Sequence, residues 1–278
     1  MPRPVACFWT GSALSWLEHL SIRSHQAHGN EVVLYTSGEV GNIPTDVTQR
    51  SAQAICPAPF DISDGARKPV AVYSDLLRLA ILGETAAIWC DMDAITVAPL
   101  GDEELLVGTG PDGALTGVLA LPPASPVLAA MQAFVTSPNP QPPWKSKAPS
   151  GTRTILDLPW GATGPKALDH FLRALGGSDM ILPEPVFYPL FKRTLARLHQ
   201  PGVPDTQIVQ PGTRSVHVFG FNRIWLALAH RGLPVPGSWL DRRCRHHQIN
   251  PQDAPIDVQP WMWQTPVGRD IQRQRAGA

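Results

Sequence analysis

Residues 71–100 read AVYSDLLRLAILGETAAIWCDMDAITVAPL. The pattern is a helix that feeds a short buried strand, Ala87-Ile88-Trp89-Cys90, which breaks open at Asp91-Met92-Asp93. Two carboxylates directly after an apolar strand are costly if buried without partners. They call for a positive or polar neighbour, or for a place at the open edge of a sheet. Residues two apart in a strand project to one side, so Asp91 and Asp93 can converge on one hard cation while Met92 turns back into the core. Oxygen ligands suit Mg²⁺ or Mn²⁺, ions usually held by one or two carboxylates plus substrate phosphates. A turn after a strand also favours Asp, which bonds its own backbone there.

The helix before this strand carries its charge at one end. Ser74 sits where an N-cap is expected, Asp75 suits the positive helix end, and Arg78 lies one turn on, facing Asp75. Leu76, Leu77, Leu79, Ala80, Ile81 and Leu82 are apolar nearly all round, which predicts a buried helix. Asp75 and Arg78 can form an ordinary helix-start ion pair, or can be charge aimed at a site shared with Asp91 and Asp93.

S-D-L-L-R at 74–78, followed by I-W-C-D-M-D at 88–93, resembles the DxD-containing sugar transferases of the GT-A fold. The resemblance is to the capsular-polysaccharide and α-1,4-glycosyltransferase group (glycosyltransferase family 32), akin to the large clostridial toxin glucosyltransferases. Those read S-D-x-x-R…G-G-x-Y-x-D-x-D; here Ala86-Ala87 replaces the glycine pair and Trp89 the tyrosine. Three later motifs appear in the order that group shows them, t-G-P…v-l-P…f-Y-P…a-v-H-l-W-n. They are T-G-P at 163–165, I-L-P-E-P-V-F-Y-P-L at 181–190 and S-V-H-V-F-G-F-N at 215–222. Each is short, and their order over residues 5–230 carries the resemblance.

That resemblance implies an α/β, GT-A-like (Rossmann-like) nucleotide-sugar fold with a mixed central sheet. It implies transfer of a hexosyl group, with retention, from a UDP-sugar donor to a glycan or lipid-linked acceptor. A Mn²⁺ or Mg²⁺ ion would be bound by Asp91, Asp93 and His217. Asp75 and Arg78 would hold the donor sugar, Asp91 would also reach a ribose or sugar hydroxyl, and Trp9 would stack on the uracil. Asp91, Asp93 and Arg78 form the expected catalytic set. Thr10, Thr163, Gly164 and Asn222 complete the expected substrate-binding set, Asn222 being offset by the Gly220-Phe221 insertion. Phe219 stands for the usual tryptophan, and Thr116-Gly117 falls where an asparagine is common. A non-catalytic nucleotide-sugar or glycan binder, and a metal-dependent nucleotide-sugar hydrolase, are the competing readings.

Composition sets the frame. In 278 residues, 43% are hydrophobic, yet no run is long enough to span a bilayer. The start, MPRPVACFWTG, lacks a signal-peptide pattern. A soluble cytoplasmic protein follows, with peripheral membrane contact left open. The formal net charge is zero and no Lys/Arg run of nucleic-acid type occurs, so nucleic acid is not an expected partner. Cys7, Cys56, Cys90 and Cys244 are scattered, as small buried residues or free thiols are. Thirty prolines punctuate the chain into short elements and argue against a helical bundle.

In chain order, residues 5–8 read as a strand, 14–26 as a helix and 31–36 as a second strand, a strand–helix–strand unit that predicts a parallel pair. Ligands in open α/β sheets sit at the carboxyl ends of strands, where Trp9 and Asp91 both fall. Trp9 can stack on a flat base there or cap the core. Residues 40–70 read as irregular, with Asp61, Asp64, Arg67 and Lys68 in a polar loop. Residues 105–108 and 115–121 read as strands, and 125–135 as a helix. The proline-rich stretch 137–150, with Trp144, Lys145 and Lys147, is either a surface connection or a lid over the acceptor.

Thr163 is expected to cap a helix over 166–175. His217 alternates with Val216 and Val218, which makes it a satisfied strand residue or a ligand through neutral imidazole. In the tail, Cys244, His246 and His247 lack a fourth zinc ligand. They read as a solvated basic helix end or a surface for anionic lipid or a charged acceptor, and residues 269–278 as frayed. The expected organisation is a nucleotide-sugar and metal core at 1–135, a flexible loop at 136–150, a site-completing part at 151–235 and a basic tail at 236–278.

Overall fold

The computed structural model describes residues 2–63, 65–144 and 154–276; Asp64, Lys145 and Lys147 lie outside the described residues. Its centre is β1 (Val5–Trp9), four of whose five residues are buried. Two faces bury opposite sets, as strand alternation requires. Val5 and Cys7 enter one core, while Ala6 and Phe8 enter another beneath α3 (Arg67–Glu84). On one side β1 pairs in parallel with β2 (Val32–Thr36), from Val5 opposite Val32 to Trp9 opposite Thr36. On the other it pairs in parallel with β4 (Ile88–Cys90), which aligns Ala6 with Trp89. The carboxyl ends of β1 and β4 therefore deliver Trp9 and Asp91 to the same edge.

The full sheet runs β3 (Thr48–Ser51), β2, β1, β4, β7 (Gly113–Ala120), β6 (Leu106–Gly110). β7 is antiparallel to β4, so the sheet is mixed. Helices α1 (Trp16–Gln26), α2 (Ala52–Ile55), α3, α4 (Pro126–Val135) and α5 (Pro165–Ala174) surround it. Ser15 caps α1 in a box with Glu18, and Ser125 caps α4.

A second, two-stranded ladder does the decisive positioning. β5 (Ala94–Thr96) follows directly on the Asp91–Asp93 turn and pairs antiparallel with β8 (Ser215–His217). Ala94 opposes His217, which brings position 217 beside Asp93 across a long sequence gap. Helix α1 pins this ladder through buried polar groups: the Ser21 hydroxyl donates to the Ala94 carbonyl and Ser24 Oγ accepts from the Thr96 amide. Trp16, Leu17 and Leu20 on α1 pack with Ile95 and with α6 (Gly220–Ala229), α7 (Trp239–His246) and α8 (Pro266–Ala276).

Several expectations change. The α3 helix begins at Arg67, with Ala66 at the cap position, so Ser74 lies two turns inside it and caps nothing. Pro69 falls in the first turn, where a missing N–H costs no helical bond. Segment 40–70 is not wholly irregular: β3 and α2 lie within it, and β3 is a polar edge strand with no alternation to betray it. Thr163 does not cap α5, whose cap position is Gly164 without a side-chain bond.

The end of the chain is not frayed through Ala276. Ile271 is buried and Arg275 donates to the Leu228 carbonyl. The basic residues of α7 are likewise engaged. Arg242 pairs with Asp205, Arg245 with Asp241, and Arg243 lies over the Trp239 ring. Among the described residues, no helix is long and apolar enough to cross a membrane.

Candidate active site

A cleft of about 640 Å³ opens at the carboxyl ends of β1 and β4. Trp9, Thr10, Asp75, Arg78, Asp91, Asp93, Thr163 and His217 all line it. Gly164 stands behind Asp75: a Cβ there would come within 2.6 Å of its carboxylate. Asn222 is not brought to the cleft. It lies near the start of α6, buried, where its amide donates to the Val218 carbonyl and its Oδ1 meets His199 Nε2 at 3.0 Å. The two extra residues before it carry it into the first turn of α6 and away from the metal side.

Arg78 organises the floor. Its guanidinium donates to Asp75 Oδ1 at 2.7 Å and to Asp91 Oδ1 at 2.8 Å, and lies 4.7 Å from the Trp89 ring centroid. Trp89 Nε1 donates to the same Asp91 oxygen at 2.8 Å, as the i, i+2 relation in an extended chain permits. The Thr163 hydroxyl donates to Asp75 Oδ2 at 2.6 Å. Burial raises the Asp75 pKa above the ordinary carboxylate value, with Arg78 and Thr163 offsetting part of it. At Asp91 burial pushes upward too, but Arg78, His217 and Trp89 together outweigh it and hold the carboxyl below its ordinary value.

The other Asp91 oxygen, Oδ2, lies 3.5 Å from His217 Nε2, and Asp93 Oδ1 lies 3.3 Å from the same nitrogen. One ligand atom from each of these three residues falls within 4.8 Å of the others. Two carboxylates and an imidazole form a donor set that Mn²⁺ or Mg²⁺ accepts. Burial raises the Asp93 pKa, against the pull of His217. Burial alone would lower that of His217, but Asp93 and Asp91 reverse it and raise it. Asp91 is thus well compensated by its neighbours, while Asp93 has His217 as its main partner. The amide of Phe219 donates to His217 Nδ1 at 3.2 Å, which leaves the ring proton on Nε2, facing the carboxylates. Phe219 holds that contact from a left-handed φ of 64°, a strained conformation for a non-glycine residue.

Four functional neighbours escaped the sequence reading. Arg223 forms an ion pair with buried Glu18 and lies over the Trp9 ring, 5.0 Å from its centroid. Tyr188 packs on His217 with ring centroids 5.6 Å apart, and its hydroxyl accepts the Val118 amide at 3.0 Å. Gly117 occupies the place where an asparagine was sought. A Cβ there would lie 2.5 Å from His217 Nε2, so the histidine ring fills the space a side chain would need. F-Y-P and the position after G-F-N were the signals for Tyr188 and Arg223; nothing local marked Glu18.

No family model matches the sequence, and no curated protein matches it. Among solved structures the chain is similar to one titled PaToxG Glycosyltransferase. The identity is 14% over 63% of this chain and 69% of that one, with a TM-score of 0.43.

Proposed function

We propose that the chain is a metal-dependent glycosyltransferase that moves a hexosyl group from a UDP-sugar to a glycan or lipid-linked acceptor. The observation that carries this reading is the convergence of Asp91, Asp93 and His217 beside the Asp75–Arg78 pair, at the carboxyl ends of two central strands. The ordered motifs of a GT-A glycosyltransferase supply the same residues from the sequence. A Mn²⁺ or Mg²⁺ ion held by Asp91, Asp93 and His217 would neutralise charge on the leaving diphosphate. The remaining work falls to the chain. Asp75 keeps a free lone pair on each oxygen after accepting from Arg78 and Thr163, and these accept donor-sugar hydroxyls. Arg78, buried and held by two carboxylates, fixes where that acceptor geometry points. Trp9, at the cleft wall, would stack on the uracil. Arg223, tethered to one carboxylate only, supplies positive charge at the diphosphate side. Retention of configuration is part of the proposal, and no enzymic nucleophile is assigned.

The test is UDP release from a panel of UDP-hexoses with Mn²⁺, with and without added glycan acceptors. Acceptor-stimulated release that stops with chelator and in Asp91→Asn supports a transferase. Release that ignores the acceptor identifies a hydrolase, and release that ignores the chelator removes the metal from the account.

A further inference from the structure

The cleft continues past the donor site to a mouth that the proposed chemistry does not use. Helix α3 forms one wall: Arg78 sits at the floor and Arg67 lies eleven residues earlier, about 16 Å away along the helix axis. Arg67 and Lys68 line the mouth, and Arg67 lies 4.6 Å from the ring centroid of Trp160. Trp160 is 55% exposed, the largest figure among the exposed large apolar side chains.

Stacking occupies the flat face of the Arg67 guanidinium and leaves its edge donors available. Neither Arg67 nor Lys68 has an ion-pair or side-chain hydrogen-bond partner among the described residues. The four carboxylates lining the cleft are engaged elsewhere: Asp75 and Asp91 with Arg78, Glu18 with Arg223, Asp93 with His217. Burial also lowers the Arg67 pKa. An exposed aromatic plane beside two cations that have no acidic partner among the described residues recognises a sugar ring that carries negative charge.

We propose that Trp160, Arg67 and Lys68 form an acceptor subsite for an acidic glycan, with the acid on the ring that stacks on Trp160. This rests on the glycosyltransferase reading, because it takes the floor for the donor and the mouth for the acceptor. Carboxylate and phosphate share the recognising chemistry, and the test separates them.

Maltopentaose, pentagalacturonate and maltopentaose 6-phosphate are titrated calorimetrically into the full chain, with and without UDP and Mn²⁺. At least one acidic pentasaccharide should bind tenfold or more tightly than the neutral one, and which one does so names the acid. Arg67→Gln/Lys68→Gln should erase that preference, and Arg67→Glu/Lys68→Glu should invert it. Trp160→Ala should weaken all three ligands by a comparable factor. Equal binding of neutral and acidic ligands overturns the subsite, as does an acidic preference that survives both double variants, or no binding of any of the three. A parallel UDP titration of each variant reports on the donor site. Loss of UDP binding in the wild type, with acidic-glycan binding intact, counts against the transferase reading and leaves the subsite standing.

Discussion

The two walls of the cleft are built from the same three parts, a carboxylate, an arginine and a tryptophan. On the β4 side Arg78 bridges Asp75 and Asp91 and lies 4.7 Å from Trp89; on the β1 side Arg223 pairs with Glu18 and lies 5.0 Å from Trp9. They differ in how far the arginine is committed. Arg78 serves two carboxylates and is 4% exposed, whereas Arg223 serves one and keeps 21% of its side-chain surface open. The first wall behaves as a fixed template and the second as a charge that can turn towards a ligand. A buried ion pair adds little net stability, but breaking one strands its partner. The template side should therefore be the more fragile of the two.

Removing the arginines gives the largest stability contrast. Arg78→Leu leaves the half-buried Asp75 and Asp91 without their cation and should destabilise the fold by about 3 kcal/mol, the low end for a broken buried pair, read as a lowered urea midpoint. Arg223→Leu should cost less, because it strands one carboxylate rather than two. Equal losses would erase the distinction between the walls. Gly117→Ala sharpens it from the metal side. The added methyl group collides with His217 Nε2, so Mn²⁺ affinity should fall about tenfold or more, on the scale of lost supporting contacts, while the urea midpoint moves less than in Arg78→Leu.

A pH-dependent effect lies behind both walls. Burial depresses the pKa of His25 to about 3 and that of His199 to about 4. The folded chain refuses protons that the unfolded chain accepts below pH ~6.5. Stability should therefore be fully present above that pH and fall as pH drops, by up to about 1.4 kcal/mol per pH unit for each histidine. Urea midpoints at pH 7, 6 and 5 measure the slope, and His25→Asn should flatten it.

Legibility in the sequence followed sequence distance and local period. Asp75 with Arg78 was readable because a helix brings i and i+3 together. Asp91 and Asp93 do converge, but through a turn closed by the Ala94 amide on the Asp91 carbonyl between β4 and β5, not by the strand alternation expected of them. His217 needed the motif order, since only the β5–β8 ladder places it opposite Ala94. The Glu18–Arg223 pair was not readable: its members are 205 residues apart, and Glu18 carried a complete local explanation as a capping-box residue. Asn222 was misplaced because the register after His217 depends on where α6 begins, and Phe219 starts it with a left-handed φ that no propensity foretells. Thr163 makes no cap, against expectation, yet it lines the cleft as the T-G-P motif led one to expect, by bonding Asp75.

Asp91, Asp93 and His217 offer one ligand atom each within 4.8 Å of the others, and on the proposed function a divalent cation held there is required for nucleotide binding. Isothermal titration of UDP, with and without Mn²⁺, into the wild type and Asp93→Ala tests it most directly. UDP should bind only when the cation is present, and Asp93→Ala should lose that binding. UDP that binds equally well without metal, or Asp93→Ala that binds as the wild type does, contradicts it.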